Sequence, residues 1–83
     1  MMLQYTILLF GPASALIGAD RVVVECPRAC TCDELKAQIV KANPSLETHL
    51  QVGRLAVNQG FVAGDAPIDP DAEIALVTMV SGG

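Results

Sequence analysis

The sequence is short of the residues that nucleic-acid and membrane binding require. Among its 83 residues there is no Trp, one Tyr and two Phe, which leaves no aromatic platform for stacking bases. Five Lys and Arg stand against nine Asp and Glu, and the five are scattered, whereas phosphate binding needs a clustered basic face. The apolar run at residues 7–10 stops at Gly11-Pro12 and is too short to cross a membrane. We therefore expect neither nucleic acid nor a membrane as a partner.

Side chains suited to catalysis are equally few. His49 is the only histidine, and the sequence has no close Ser-His or Cys-His pairing and no phosphate-binding Gly loop. Asp69, Asp71 and Glu73 surround a proline-containing turn, which is typical of a solvated surface. We expect no metal site and no complete active site in this chain alone.

The three cysteines lie in one short stretch, at Cys26, Cys30 and Cys32. An odd number does not suit a disulfide scaffold, and no fourth metal ligand follows at a suitable spacing. We expect reduced thiols that behave as small buried apolar residues; a zinc or redox role is the alternative.

No Lys or Arg precedes Arg21, so the N-terminal segment lacks the positive charge of a secretory signal. These features favour a cytoplasmic protein.

What is present indicates one small domain with an aliphatic core, since 52% of the residues are hydrophobic and 17% are charged. A helix is predicted over residues 31–43, where Thr31 and Glu34 match a capping box and Asn43-Pro44 ends the helix. In the first strand, alternation directs Leu3, Tyr5, Ile7 and Leu9 into the core. Pattern and β propensity predict strands at residues 2–10, 21–26, 54–58, 61–63 and 73–80.

The connections between these elements read as loops, with a helical turn at residues 13–17 and a connector at 45–53. The order of elements predicts an α+β fold, with a mixed sheet of four to five strands and one main helix packed across it. If the last strand lies beside the first, the fold is a ubiquitin-like β-grasp. We assign residues 1–80 to this domain and 81–83 to a flexible Gly-Gly tail.

The C-terminus is the feature most suggestive of function. Val80-Ser81-Gly82-Gly83 leaves an apolar strand and ends in two residues without side chains. Glycine adopts almost any backbone angle and can pass through a narrow channel, so such an end suits a reactive carboxylate on a flexible arm. A carboxylate is a poor electrophile until another enzyme joins it to AMP. We expect Gly83 to carry the reactive group and Gly82 to provide clearance.

The chain resembles the small, sulfur-carrying subunits of molybdopterin synthases, which have the ubiquitin-like β-grasp fold. The resemblance spans nearly the whole length. It is carried by Leu9-Phe10, Leu16-Ile17-Gly18, Thr31 with Glu34-Leu35, Asn43-Pro44-Ser45-Leu46, Ala56-Val57-Asn58-Gln59, Asp71-Ala72-Glu73-Ile74-Ala75 and Val80-Ser81-Gly82-Gly83.

The resemblance implies a carrier without a permanently bound cofactor. An E1-like enzyme would adenylate the Gly83 carboxylate, and a sulfurtransferase system would convert the resulting acyl adenylate to a thiocarboxylate. The large subunit, in a heterotetramer, would then use this sulfur to convert cyclic pyranopterin monophosphate to molybdopterin, as part of molybdenum cofactor biosynthesis. The family pattern places contacts with partner proteins at Phe10, Phe61, Val77, Met79, Val80 and Ser81.

Three alternatives remain open at this stage. The first is a carrier of sulfur for thiamin or tRNA thiolation, and the second is a ubiquitin-related protein modifier. A third possibility, of another class, is a non-catalytic β-grasp interaction module with an unreactive tail. For Val77, burial in the core is the alternative to a contact with a partner protein.

Overall fold

The computed structural model describes residues 2–78, which contain a single mixed β-sheet. Its strands are Leu3–Leu9 (β1), Arg21–Cys26 (β2), Gly53–Val57 (β3), Gly60–Phe61 (β4) and Ile74–Thr78 (β5). Within the described range the sheet order is β2-β1-β5-β3-β4. The central pair, β1 and β5, is parallel, and the other neighbours are antiparallel. The last strand thus lies beside the first, as the β-grasp prediction requires.

The helices are Gly11–Ile17 (α1), Cys32–Ala42 (α2) and Glu47–Val52 (α3), with a 3₁₀ turn at Pro44–Leu46 before α3. The predicted capping box of α2 is confirmed. The Thr31 hydroxyl accepts from the Glu34 amide at 3.2 Å, and the Thr31 amide donates to the Glu34 carboxylate at 3.0 Å. Hydrogen bonds from the Thr31 backbone and from Arg28 hold the pKa of Glu34 below its usual range.

The core lies between the sheet and α2. Tyr5, Ile7 and Leu9 are buried as predicted, whereas Leu3 is half-buried at the margin of the core. From α2, the buried residues are Cys32, Leu35 and Ile39. The remaining core is aliphatic and comes from the sheet, the short helices and the loop before β5: Ala13, Val22, Val24, Cys26, Cys30, Leu46, Leu50, Leu55, Ile68, Ile74 and Leu76.

The helical turn predicted at residues 13–17 is confirmed as part of a longer helix, α1. Pro12 in the first turn suits the start of α1, and Gly18 ends this helix at φ 79°, donating its amide to the Ser14 carbonyl. The segment predicted to be a connector, residues 45–53, contains the 3₁₀ turn and α3, in which Leu46 and Leu50 are buried one turn apart. Burial of these leucines stabilises segments too short to be helical alone.

The hairpin between β3 and β4 begins one residue earlier than predicted. Asn58 and Gln59 have φ values of 51° and 69°, and Val57 pairs with Gly60. This two-residue turn places Asn58 outside β3 and limits β4 to Gly60–Phe61, where residues 61–63 were expected. Of the predicted last strand, residues 79 and 80 lie outside the described range, as does the predicted boundary between domain and tail.

Tyr5 connects β1 to two loops at the end of the domain. Its buried hydroxyl donates to the Ile68 carbonyl at 2.9 Å and accepts from the Cys30 amide at 3.0 Å. Tyr5→Phe leaves both backbone groups without this partner, so we expect a loss of about 2 kcal/mol in the free energy of unfolding, measured in urea. Thr6→Val, which removes an exposed hydroxyl from the same strand, should change it by less than about 0.5 kcal/mol. Equal effects of the two substitutions would contradict this assignment.

Candidate functional site: the outer sheet face beside the end of β5

The last described strand, β5, lies at the centre of the sheet. β5 runs between β1 and β3, and its last described residue, Thr78, pairs with Gly53. The predicted site residues Met79, Val80, Ser81, Gly82 and Gly83 follow directly and lie outside the described residues. The chain therefore enters its last five residues from the middle of the sheet and not from an edge.

Gly53 lies where β3 meets the end of β5. A Cβ atom at this position would lie 2.7 Å from the carbonyl oxygens of His49 and Val77, and 3.2 Å from the Cα of Thr78. These are backbone atoms, which cannot rotate away as a side chain can. The extended backbone at Gly53 (φ -107°, ψ -175°) suits any residue, so the backbone conformation does not require glycine. The close approach of α3 and β5 requires it.

An apolar row crosses the outer face of the sheet, away from α2. It follows from the strand register, in which Leu8 pairs with Ala75, Ala75 with Ala56, and Ala56 with Phe61. Directly paired residues share a face, and their strand neighbours Leu9, Leu76 and Leu55 are buried on the opposite side. The row Leu8, Ala75, Ala56 and Phe61 is thus a continuous apolar strip that crosses β5 at Ala75, near the start of the strand.

Phe10 and Phe61 are the exposed aromatic residues near this row. Phe61 is 48% exposed, and the Arg54 guanidinium carbon lies 4.6 Å from its ring centroid, a cation–π geometry. Phe10, which follows β1, is 57% exposed. Val77 pairs with Arg54 and is half-buried on the outer face, so the interpretation of Val77 as core is wrong. Of the predicted contact residues, Phe10, Phe61 and Val77 are described, and all three are accessible.

Sequence patterns alone did not identify Leu8, Arg54 or Gly53 as parts of this site. Leu8 reads as an ordinary strand residue until the parallel pairing of β1 with β5 is known. Arg54 is one residue among five scattered basic positions, and its stacking on Phe61 depends on the β3–β4 hairpin. Gly53 was predicted as the last residue of the connector, and a glycine directly before a predicted strand was the one available signal.

The buried polar groups elsewhere do not add catalytic chemistry to this face. Cys26, Cys30 and Cys32 are free and buried, and burial together with the neighbouring Cys30 raises the pKa of Cys26 to about 12. A thiol with this pKa is a poor nucleophile at neutral pH. His49 is half-buried, and its Nδ1 has no hydrogen-bond partner among the described residues.

Metal-ligand clusters and membrane-spanning helices are both absent from residues 2–78. No three His, Cys, Asp or Glu side chains in this range are grouped as metal ligands. None of the helices described here has the length and apolar character needed to cross a membrane.

Comparison with known proteins places this fold and C-terminus in a family. The model of the ThiS family matches residues 7–83, a range that includes the Gly-Gly end. The chain belongs to the ThiS family. Among curated relatives of this ThiS-family chain, the molybdopterin synthase sulfur carrier subunit of Dictyostelium discoideum is 34% identical, and the match covers 96% of each chain.

Solved structures agree with this family assignment. A chain from the complex of subunits 1 and 2 of molybdopterin-converting factor from Helicobacter pylori is 26% identical, with a TM-score of 0.66 and 100% coverage of both chains. SAMP1 from Haloferax volcanii is 23% identical, with a TM-score of 0.81, covering 96% of this chain and 99% of that one. The second likeness supports the β-grasp fold alone.

Proposed function

We propose that this ThiS-family chain is the sulfur-carrier subunit of a molybdopterin synthase. The observation that carries the proposal is the course of β5, the central strand, which crosses the apolar row of the outer face at Ala75 and continues toward a Gly-Gly terminus. Full-length similarity to a molybdopterin synthase sulfur carrier subunit supports this choice over other carriers.

The proposed chemistry takes place at the carboxylate of Gly83. An E1-like enzyme joins this carboxylate to AMP from ATP, with release of pyrophosphate. Sulfide supplied by a sulfurtransferase system then displaces AMP as the leaving group, and the product is a C-terminal thiocarboxylate. AMP and sulfur are therefore transient, and no cofactor is held permanently. Because the reaction consumes ATP, we place the protein in the cytoplasm.

The large synthase subunit is the proposed partner of the charged form, in a heterotetramer with two copies of each subunit. It docks on the outer face at Phe10, Phe61 and Val77, and receives Met79, Val80 and Ser81 as the chain extends toward the reactive end. General acids and bases come from the large subunit, since this chain offers a single half-buried histidine. Sulfur passes there to cyclic pyranopterin monophosphate.

Phe61→Ala should weaken binding to the large subunit about tenfold or more, because exposed aromatic residues dominate docking surfaces of this kind. Val23→Ala is the matched control: Val23 is 52% exposed on β2, at the opposite edge of the sheet. Titration calorimetry of each variant with the large subunit measures the difference. Equal affinities for the two variants would place the docking surface elsewhere.

Reconstitution tests the function itself. Thiocarboxylated chain is mixed with the large subunit and cyclic pyranopterin monophosphate, and the molybdopterin formed is quantified. The proposal predicts product only with the thiocarboxylated form, limited in amount by the carrier supplied. A chain that accepts sulfur but yields no molybdopterin would indicate a carrier for another pathway, such as thiamin or tRNA thiolation. A chain that accepts no sulfur would indicate an interaction module.

A further inference from the structure

The strand β2 forms a long edge of the sheet. Within residues 2–78 it pairs with β1 on one side only, whereas the opposite edge, β4, is two residues long. An unpaired edge presents backbone N–H and C=O groups to any strand that fits alongside. Natural edges are usually protected by charges, bulges or proline. β2 contains no proline and pairs with β1 in continuous register, and its two exposed charges, Arg21 and Glu25, are of opposite sign.

The outer face of β2 carries a charge pattern that is complementary to itself. Arg21 and Glu25 lie two residues on either side of Val23, and all three are exposed, with Val23 at 52%. Arg21 contacts Asp20 through Nε at 3.2 Å, in a pair whose side chains are 58% and 75% exposed. Such an exposed pair contributes little, and the terminal guanidinium nitrogens are not part of it. Glu25 takes part in none of the ion pairs among the described residues.

We propose that β2 pairs antiparallel with β2 of a second copy of this chain, about a two-fold axis that passes through Val23. In this register Val23 faces its own copy, and each Arg21 faces the Glu25 of the other chain. Opposite charges that face each other across strands stabilise the pairing, and like charges oppose it. A shift by two residues in either direction sets one charge of each chain against Val23 and the other beyond the end of the partner strand, and in-register parallel pairing sets Arg21 against Arg21.

This pairing leaves the outer-face docking residues free. The row continues away from β2, through β5, β3 and β4, so its exposed end at Phe61 lies four strands from the dimer edge. Both copies then present the candidate docking surface at once. The inference does not depend on the proposed function, because it uses only β2 and its register.

Charge reversal tests the pairing on the full chain. Sedimentation equilibrium of the unaltered protein should show a weak monomer–dimer equilibrium, as expected of a small interface. Arg21→Glu or Glu25→Arg alone places like charges opposite each other twice, and each should raise the dimer dissociation constant at least about tenfold. The double variant Arg21→Glu with Glu25→Arg restores both pairs with their signs exchanged, and it should return the constant to within about threefold of the original.

Crosslinking tests the position of the axis. Val23→Cys places two thiols opposite each other at the two-fold axis, and oxidised glutathione, which is reduced as the thiols lose two electrons, should convert them to an intermolecular disulfide. Val52→Cys is the control, since Val52 is 58% exposed on α3 and away from β2. The proposal would be overturned by a protein that stays monomeric at all concentrations, or by a double variant whose dimer dissociation constant does not recover. Equal crosslinking of the two cysteine variants would also overturn it.

Discussion

Deletion of Gly82 and Gly83 should abolish thiocarboxylate formation and sulfur transfer while leaving the fold unchanged. The deletion moves the terminal carboxylate to Ser81 and shortens the arm by about 7 Å, at roughly 3.3 Å per extended residue. A carboxylate that no longer reaches the adenylating site cannot be joined to AMP. The serine side chain would also occupy the place where glycine leaves clearance. Mass spectrometry after incubation with the activating enzyme measures the loss.

The deletion should not change the stability of the folded domain. Among residues 2–78, the buried core lies between Tyr5 and Leu76, before the deleted pair in the sequence. We expect an unchanged melting temperature and retained binding to the large subunit through the outer face. Thr6→Val, which keeps the chain length and the Gly-Gly end, should remain fully active and serves as the control. Sulfur transfer by the shortened chain would show that the reactive group is not at Gly83.

Gly53→Ala should destabilise the domain by about 3 kcal/mol, at the upper end of the usual cost of overpacking. The added methyl group would lie 2.7 Å from the carbonyl oxygens of His49 and Val77, so α3 and β5 must separate from β3. The disturbance falls at the Gly53–Thr78 pair, from which the chain continues toward its terminus. Urea unfolding gives the change in stability, and sulfur-transfer rates below the melting transition report any effect on the terminus.

Gly60→Ala is the matched control for this substitution. The nearest atom to a Cβ at Gly60 is the Val57 carbonyl oxygen at 3.9 Å, an ordinary contact, so we expect a change below about 0.5 kcal/mol. The two variants add the same methyl group to strands of the same hairpin and differ in the space available. Similar stabilities of the two variants would refute the close approach at Gly53.

Much of the fold could be predicted because its main elements carry local signals. The alternation in β1 identified Tyr5, Ile7 and Leu9 as core, and the Thr31–Glu34 capping box located the start of α2. Of the short helices, α1 was predicted only as a helical turn at residues 13–17 and α3 only as a connector, for a physical reason. Helices α1 and α3 have seven and six residues, too few for a clear periodicity, and their stability comes from tertiary packing.

The candidate site was predictable only in part, because its members meet through strand pairing between distant parts of the chain. The family pattern identified Phe10, Phe61 and Val77, and the structure places them on the accessible outer face or next to it. The apolar row depends on the register of β1, β5, β3 and β4, which no local pattern specifies. The contact of Arg54 with Phe61 depends on the same pairing.

The central claim is that Gly83 carries sulfur, and intact-mass measurement tests it most directly. The full chain is incubated with ATP, an E1-like activating enzyme from the same source and a sulfide donor. The account predicts a mass increase equal to the exchange of one oxygen atom for one sulfur atom, located at Gly83 by fragmentation and absent when Gly83 is deleted. An unchanged mass, with an activating enzyme shown to be active on another carrier, would contradict the account.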